Sequence, residues 1–536
     1  MKSSLLWISL SIILIFVLGC LVILQPLLSI IDKIADDAFY YLTIARNITR
    51  GTGISFDGLK PTNGFHPLYL FSLIPGFLLF PGNSYFNVKI ALLIGLFSYI
   101  LTVFPFYFLT KYVYKERTAV FATLCWLLNP WGLAITLNGV ESGLYILLVA
   151  LTSYLYIRIK MVVSQAALRR NSLLMGISLG LTYLARSDAA FLMIGIFLDW
   201  IFLYAMRGSS EKYILFWDRA KILALFHMLL SSCLVILPWN AWNIITFGSI
   251  LQTSGAAIYW NTHQGVKLLS MTFFSALTNS TLNMLNLGIL FCFQAFCFFI
   301  VYLFIKLLPS FRKTFKGHSR IHKGQDHSLL FFFWFYIFSI FAFYSWFLLY
   351  QQAWYFMPIL LGVALSFGWL LEYILRRAEE KNHQLVKFFK KLIAVYLPAT
   401  FLLGIFLWQN KGRINYPAQK DGYQIASWLS THTEPKARIG SWNSGILGYY
   451  SNRTVINLDG VVNNRLVYFL KQKKGFVYDL DILSQYIQNE KIEYVTDYDH
   501  IPVKMSRLTT THFHPVYKFL SSADSKFIIT VYQYLP

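Results

Sequence analysis

The sequence predicts an α-helical polytopic membrane protein of about eleven transmembrane helices, followed by a soluble α/β domain. Three observations lead there. Of 536 residues, 57% are hydrophobic and only 13% charged, with a mean hydropathy of +0.53, which excludes an ordinary soluble globular chain. Apolar runs long enough to cross a bilayer recur between Leu5 and Trp408. The net charge of +22 is concentrated in loops between those runs, as cytoplasmic loops require. The charge therefore predicts membrane lipids as its surroundings and no nucleic-acid partner.

The spans follow in order, with basic loops held on the inside. Leu5 to Leu28 runs outward as an uncleaved first helix, since no small-residue cleavage site follows. Leu68 to Phe80 is apolar but short, and Pro75 and Pro81 interrupt it, so it reads as a re-entrant or interfacial segment. Phe86–Leu109 returns to the basic KYVYKER loop. Ala119–Leu137 and Gly143–Ile157 form the next pair, then Ser172–Leu184 and Ala189–Tyr204. Ile222–Trp242 goes out, a long external piece covers Ile244–Thr281, and Leu282–Ile305 returns to a basic stretch around Arg312 to Lys323. Leu329–Leu349, Trp354–Leu375 and Leu392–Trp408 complete the set. More than half of the 46 Lys and Arg residues then lie inside, which argues against counting Leu68–Phe80 as a full span.

The expected division is 1–408 for the membrane part, with a first external loop over 32–67 and the re-entrant piece over 68–81, and 409–536 for an external tail. In the tail, YQIASWLSTH and DILSQYIQN have helical periodicity. ARIGSW, RTVINLD, KIEYVTD and KFIITVYQYL read as strands, and the alternation predicts a small α/β domain. All five cysteines lie in apolar runs, so no disulfide framework is implied.

The polar stretch from Ala35 to Leu68 is where chemistry is expected. Asp36 and Asp37 follow a membrane exit and precede an aromatic helix. Carboxylates there suit a helix N-terminus. They also suit a general base at the membrane surface, its pKa raised by burial among Phe39, Tyr40 and Tyr41. Glu141 stands alone in the nearly uncharged turn LNGVESGLY and is placed on the same side as Asp36. Arg186 and Asp188 lie between apolar runs that are short for a core of about 30 Å, so they are expected to be recessed. They read either as a structural ion pair or as a phosphate contact. His66 is placed facing the site, while Asn63-Gly64 reads as turn chemistry. His263, with Tyr259 and Trp260, is a candidate for an entrance, and Trp354 and Tyr355 read as interfacial anchors. His318, His322 and His327 read as a solvated loop, and Gly176-x-x-x-Gly180 as helix packing.

The motif DDAFYYLTIARNI…FDG…PTNGFHPL, with NGVESGL, LARSD and GYYSNRTVINLDG, resembles the GT-C superfamily of polytopic glycosyltransferases. It is similar to the bacterial group related to protein O-mannosyltransferases and lipid A aminoarabinose transferases. The resemblance covers essentially the whole chain. It implies a polyprenyl-phosphate sugar donor, a glycan, lipid or protein acceptor, and a catalytic acid in the first external loop. Asp36 matches that acid best, Asp37 is its neighbour, and Glu141 matches the assisting acid of the next external loop. Relatives commonly carry Asp-Glu where this chain has Asp-Asp. Some relatives use a divalent metal and others do not, so a metal is possible and its ligands are unassigned.

The functional expectation is an inverting glycosyltransferase in the inner (plasma) membrane, N-terminus cytoplasmic and tail periplasmic or extracellular. Catalytic residues would be Asp36, Asp37 and Glu141, with Arg186, Asp188, His66, Tyr40, Tyr41 and His263 binding substrate. A transporter or flippase of lipid-linked sugars is the alternative, and a non-catalytic membrane scaffold a third reading. A transporter places ionisable groups near the bilayer midplane and often has repeated halves, whereas these acids sit at external turns and no repeat is visible.

Overall fold

The computed structural model describes residues 2–162, 164–201, 219–265, 327–347, 352–381, 383–411, 416–475, 477, 479–497, 513–522 and 528–535. Among them, five helical stretches are long and apolar enough to cross a membrane: Leu5–Ile23, Ser84–Val113, Ser142–Met161, Arg219–Phe247 and Ala353–Tyr373. A sixth is a bent pair, Glu116–Leu127 and Pro130–Thr136, broken by 55°. The break falls at Asn129-Pro130. Proline disfavours helix in the residue before it and suits the first helical turn after it, and the Asn129 side chain accepts from the Trp131 and Gly132 amides. The Gln165–Ala185, Ala190–Asp199, Phe331–Phe347 and His383–Lys411 helices stand at the other expected crossings. The expected crossing 282–305 and the basic stretch 312–323 lie outside the described residues, as do His318 and His322.

Three features set the position of the site. The Pro67–Leu79 helix, with Pro75 inside it, has 13 residues, too few to span. The Gln165–Ala185 helix packs along Arg219–Phe247 through Gly176, where a Cβ would stand 2.0 Å from Ser231 Oγ. That helix has 21 residues, so the expected short run before Arg186 is instead part of a full-length helix. Arg186 is recessed because it lies at a buried helix end, not because the helix is short.

The tail carries a five-stranded sheet of β1 (Arg438–Ser441), β2 (Thr454–Asn457), β3 (Tyr494–Val495), β4 (Phe513–Leu520) and β5 (Ile528–Tyr534), in the order β2-β1-β3-β5-β4. β1 pairs in parallel with β2 and β3, with Ile439 opposite Val455 and Tyr494. β5 runs antiparallel to β3 and β4. The Asn464–Lys473 and Leu480–Asn489 helices are capped by Asn463 and Asp479 and bury Leu466, Leu470, Leu483 and Ile487 on Trp442, Ile456 and Val495. A second apolar core is continuous from the membrane helices into the tail through Ile425, Ile439, Ile446 and Val455.

Candidate active site

The first-loop helix, Asp36–Thr49, is the site's inner wall. Its N-cap residue, Ala35, offers no side-chain bond, and Asp36 does not serve as the cap. The Asp36 carboxylate turns to the tail: it accepts from Gly445 N at 2.8 Å, Ile446 N at 3.0 Å and Gln419 Nε2 at 3.3 Å. These amides open the short Gly445–Tyr450 helix, so the charge meets the positive end of a neighbouring helix. The turn before that helix is pinned by Asp497, which accepts from Trp442 N and Asn443 N. At the other end, Arg46 donates to Tyr449 O at 2.6 Å and Gly448 O at 2.7 Å. The two helices are clamped together at both dipole ends.

Asp37, one residue on, keeps part of its surface open. Burial pushes its pKa up to about 8, with Asp36, Glu141 and Asp459 adding in that direction and Arg186 opposing. Glu141, 3% exposed, stands at the start of the Ser142–Met161 helix. It accepts from Tyr41 OH at 2.8 Å and pairs with Arg186 Nη1. Arg186 also donates to Asp188 Oδ2 through Nε (3.1 Å) and Nη2 (2.9 Å), and to Tyr344 OH at 2.8 Å. Its guanidinium lies 5.1 Å from the Tyr355 ring centre and 5.6 Å from that of Tyr145. Two carboxylates around one guanidinium leave this cluster short of positive charge. His66 does not supply it: its Nε2 lies 3.7 Å from Glu141, but burial holds its pKa down at about 4, so the ring is neutral at pH 7.

Asp36, Asp37, Glu141, Arg186, Asp188, His66 and Tyr41 thus share one region. Tyr40 faces the tail, with its hydroxyl 3.4 Å from Trp442 O. His263 lies on the Thr253–Gly265 helix with its side chain outside the described residues, and Trp260 donates to Gly475 O of the tail instead of lining an entrance. Asn63-Gly64 is more than a turn. Asn63 joins three chain segments, and a Cβ on Gly64 would stand 1.9 Å from Val461 O. Trp354 and Tyr355 were expected as interfacial anchors. Trp354 is buried, and Tyr355 stacks on Tyr344 at 4.6 Å beside Arg186. Asp459, in the tail's NLDG turn, was not singled out from sequence. The signal was there: an acid immediately after a strand-like run, in a turn pattern.

Among the described residues, no group of three or more His, Cys, Asp or Glu is placed to hold a metal ion. The acids' bonds agree with that: Asp36 is occupied by N–H donors, and Glu141 by Tyr41 and Arg186.

Comparison with known proteins shows the fold to be shared with solved structures of ArnT and of an archaeal oligosaccharyltransferase. The structure of ArnT from Cupriavidus metallidurans bound to undecaprenyl phosphate matches 97% of this chain and 97% of its own, with 12% identity and a TM-score of 0.57. The apo oligosaccharyltransferase of Archaeoglobus fulgidus matches 99% of this chain and 74% of its own, at 12% identity and a TM-score of 0.54. The Archaeoglobus fulgidus oligosaccharyltransferase AglB, in complex with an inhibitory peptide and a dolichol-phosphate, matches 98% of this chain and 74% of its own, at 13% identity and a TM-score of 0.52. Residues 412–532 match the family model DUF8728, a domain of unknown function. No curated protein matches the chain by sequence.

Proposed function

We propose that the chain transfers a monosaccharide, hexose or pentose, from a polyprenyl-phosphate donor to a hydroxyl of an envelope glycan, lipid or protein. The membrane part is 1–408 and the tail 409–536, with site and tail on the non-cytoplasmic face of the inner (plasma) membrane. One observation carries this reading: the helix turn that bears Asp37 is tied on one side to the Arg186 cluster, through Tyr41 and Glu141, and on the other to the tail, through Asp36. Solved proteins of the same fold that hold undecaprenyl phosphate and dolichol-phosphate support the donor class.

Asp37 is the base. Its carboxylate takes the proton of the acceptor hydroxyl as that oxygen bonds to the anomeric carbon. The bond from that carbon to the lipid phosphate breaks, and the phosphate leaves with the electron pair, inverting the centre. The phosphate is a competent leaving group, so orientation and charge stabilisation supply most of the rate. Arg186 has one unassigned N–H on Nη1 and offers a fixed cation to the departing phosphate. Glu141 and Asp188 hold that guanidinium in place. Asp36, matched by motif to the family's acid, is assigned to the clamp instead, because its oxygens are engaged by the tail's amides.

The test is mass spectrometry of envelope lipids and glycans from cells carrying the wild-type gene, no gene, Asp37→Asn or Asp36→Asn. Loss of the same sugar in the deletion and in Asp37→Asn is expected. Full product from Asp37→Asn rejects the base assignment.

A further inference from the structure

His66 and Glu141 face each other across a gap that the mechanism leaves unused. His66 precedes the Pro67–Leu79 helix, and its backbone N–H donates to Tyr41 OH at 3.3 Å. The same hydroxyl donates to Glu141 Oε2 at 2.8 Å, so one tyrosine holds both residues. Glu141 Oε1 takes a bond from Arg186 Nη1 and stands 3.7 Å from His66 Nε2, too far for a direct hydrogen bond. Gln252 decides which polarity the ring presents there. Its Nε2 donates to Phe65 O at 2.8 Å. A carbonyl only accepts, so the carboxamide can sit one way round only, with its nitrogen inward. That nitrogen also lies 3.1 Å from His66 Nδ1, which must then accept. The ring is therefore neutral, with its proton on Nε2, the nitrogen that faces Glu141. A second proton on Nδ1 would meet the N–H of Gln252, and burial favours the uncharged ring as well. Gln252 is itself held in place, because the next amide, Thr253 N, donates to Asn63 Oδ1 at 3.1 Å. Among the described residues, no hydrogen bond claims His66 Nε2.

We infer that His66 and Glu141 form a notch that recognises one hydroxyl of the donor's monosaccharide, with Gln252 the positioning residue that keeps the His66 proton on Nε2. This rests on the reading of the chain as a glycosyltransferase whose Arg186 takes the donor's phosphate. A hydroxyl both donates and accepts. Its oxygen accepts from His66 Nε2–H, and its proton goes to the Glu141 Oε1 lone pair that Arg186 leaves open. An oxygen about 2.8 Å from each atom fits across the 3.7 Å gap. Other groups fit only half of the notch: an ammonium has no lone pair for Nε2–H, and a phosphate oxygen has no proton for Glu141. Arg186 Nη1 flanks the same carboxylate oxygen, so the group bound here is the neighbour of the phosphate, which in the donor is the sugar. A cleft of about 290 Å³ lies beside the notch. Pro67 and Ser187, the residues that follow His66 and Arg186, line it with Gln252, and Trp239, Ile250 and Leu251 give it an apolar wall.

The test separates recognition of the sugar from recognition of the lipid. Purified full-length protein is titrated, with native mass spectrometry as readout, against undecaprenyl phosphate and against undecaprenyl-phosphate glucose, galactose, mannose and arabinose. Wild type is expected to bind at least one of these sugar lipids tighter than undecaprenyl phosphate. His66→Asn keeps an acceptor for Gln252 on its shorter carboxamide but has nothing at Nε2. It is expected to bind that sugar lipid about fivefold to tenfold more weakly, with its affinity for undecaprenyl phosphate unchanged. His66→Gln, whose longer side chain extends an N–H toward Glu141, recovers most of the loss. Gln252→Met loses the same preference. Nitrogen NMR of histidine-labelled protein reads the cause, with the His66 signals identified by their absence in His66→Gln: the proton stays on Nε2 in wild type and exchanges between both nitrogens in Gln252→Met. An equal loss for both lipids, a preference unchanged in His66→Asn, no preference in wild type, or a wild-type proton on Nδ1 overturns the inference. An envelope that loses no sugar when the gene is deleted overturns the underlying reading instead, so the two failures are distinct.

Discussion

Asp36 and Gly445 lie 409 positions apart in the chain, yet the carboxylate of one accepts the backbone N–H of the other at 2.8 Å. With Arg46 on the carbonyls of Gly448 and Tyr449, this bond fixes the tail on the first loop. Asp36→Ala strands two buried amides and is expected to cost about 2–6 kcal/mol, at about 1–3 kcal/mol for each group left unmet. Hydrogen exchange of Gly445–Tyr450 in the full-length protein should rise in that variant. Asp36→Asn keeps an acceptor and should fall between it and wild type. Unchanged exchange in Asp36→Ala would show that the clamp holds nothing.

The protonation of Asp37 sets opposite demands on activity and stability. A base must be deprotonated, so activity rises with pH through a midpoint near 8, and at pH 6 it is about a hundredfold below the plateau. Folding works the other way. The folded pKa lies above the unfolded one, so the contribution of Asp37 to stability is largest below pH 4 and is lost as pH rises toward 8. Asp37→Asn should therefore abolish transfer and raise the thermal midpoint at pH 8, by about 2–4 °C given that the side chain is partly solvated. A lower midpoint at pH 8 would refute the burial argument.

Arg186 pairs with two carboxylates in a region largely closed to water. Removing it in Arg186→Met leaves Glu141 and Asp188 unpaired, a loss of about 3–5 kcal/mol. Arg186→Lys keeps the charge but not the fork that reaches Asp188 through both Nε and Nη2, and should retain the fold while losing most activity. Thermal unfolding in detergent separates the two, with the double variant Arg186→Met/Glu141→Gln expected to recover part of the loss. If Arg186→Lys is fully active, the guanidinium geometry has no part in the reaction.

The long apolar helices among the described residues were legible because hydropathy is a local property. Four of the five tail strands were legible for the same reason. β4 was not: Pro515 breaks the strand pattern, and it is tolerated because β4 is an edge strand with an irregularity between Pro515 and Tyr517. The Gly445–Tyr450 helix was hidden by two glycines in six residues. Within the site, the sequence gathered Asp36, Asp37, Glu141 and Arg186 and favoured Asp36 as the base, but left the division of roles between Asp36 and Asp37 open. Neighbours on a helix point about 100° apart, and which one meets the tail depends on a docking partner four hundred residues away. Asp459 and Tyr355 were missed on that account: their proximity to Asp37 exists only in the folded chain.

Asn63 is the hub that joins the first loop to everything behind it. Fully buried, it donates from Nδ2 to Asn243 Oδ1 at 3.2 Å, and its Oδ1 accepts from Thr253 N at 3.1 Å and Asn464 Nδ2 at 2.8 Å. Those partners come from a membrane-spanning helix, the Thr253–Gly265 helix and the tail. Asn63→Ala strands the two donors as well as opening a void, so a loss of about 2–4 kcal/mol is expected. Asn63→Asp keeps both acceptor bonds but loses the donor to Asn243 and puts an uncompensated carboxylate in a buried site, and should cost as much. Asn63→Asp paired with Asn243→Lys gives that carboxylate a cation and should recover stability only if the two side chains meet as described. A double-mutant cycle on thermal unfolding reads this directly: coupling of about 1 kcal/mol or more supports the hub, and simple additivity rejects it.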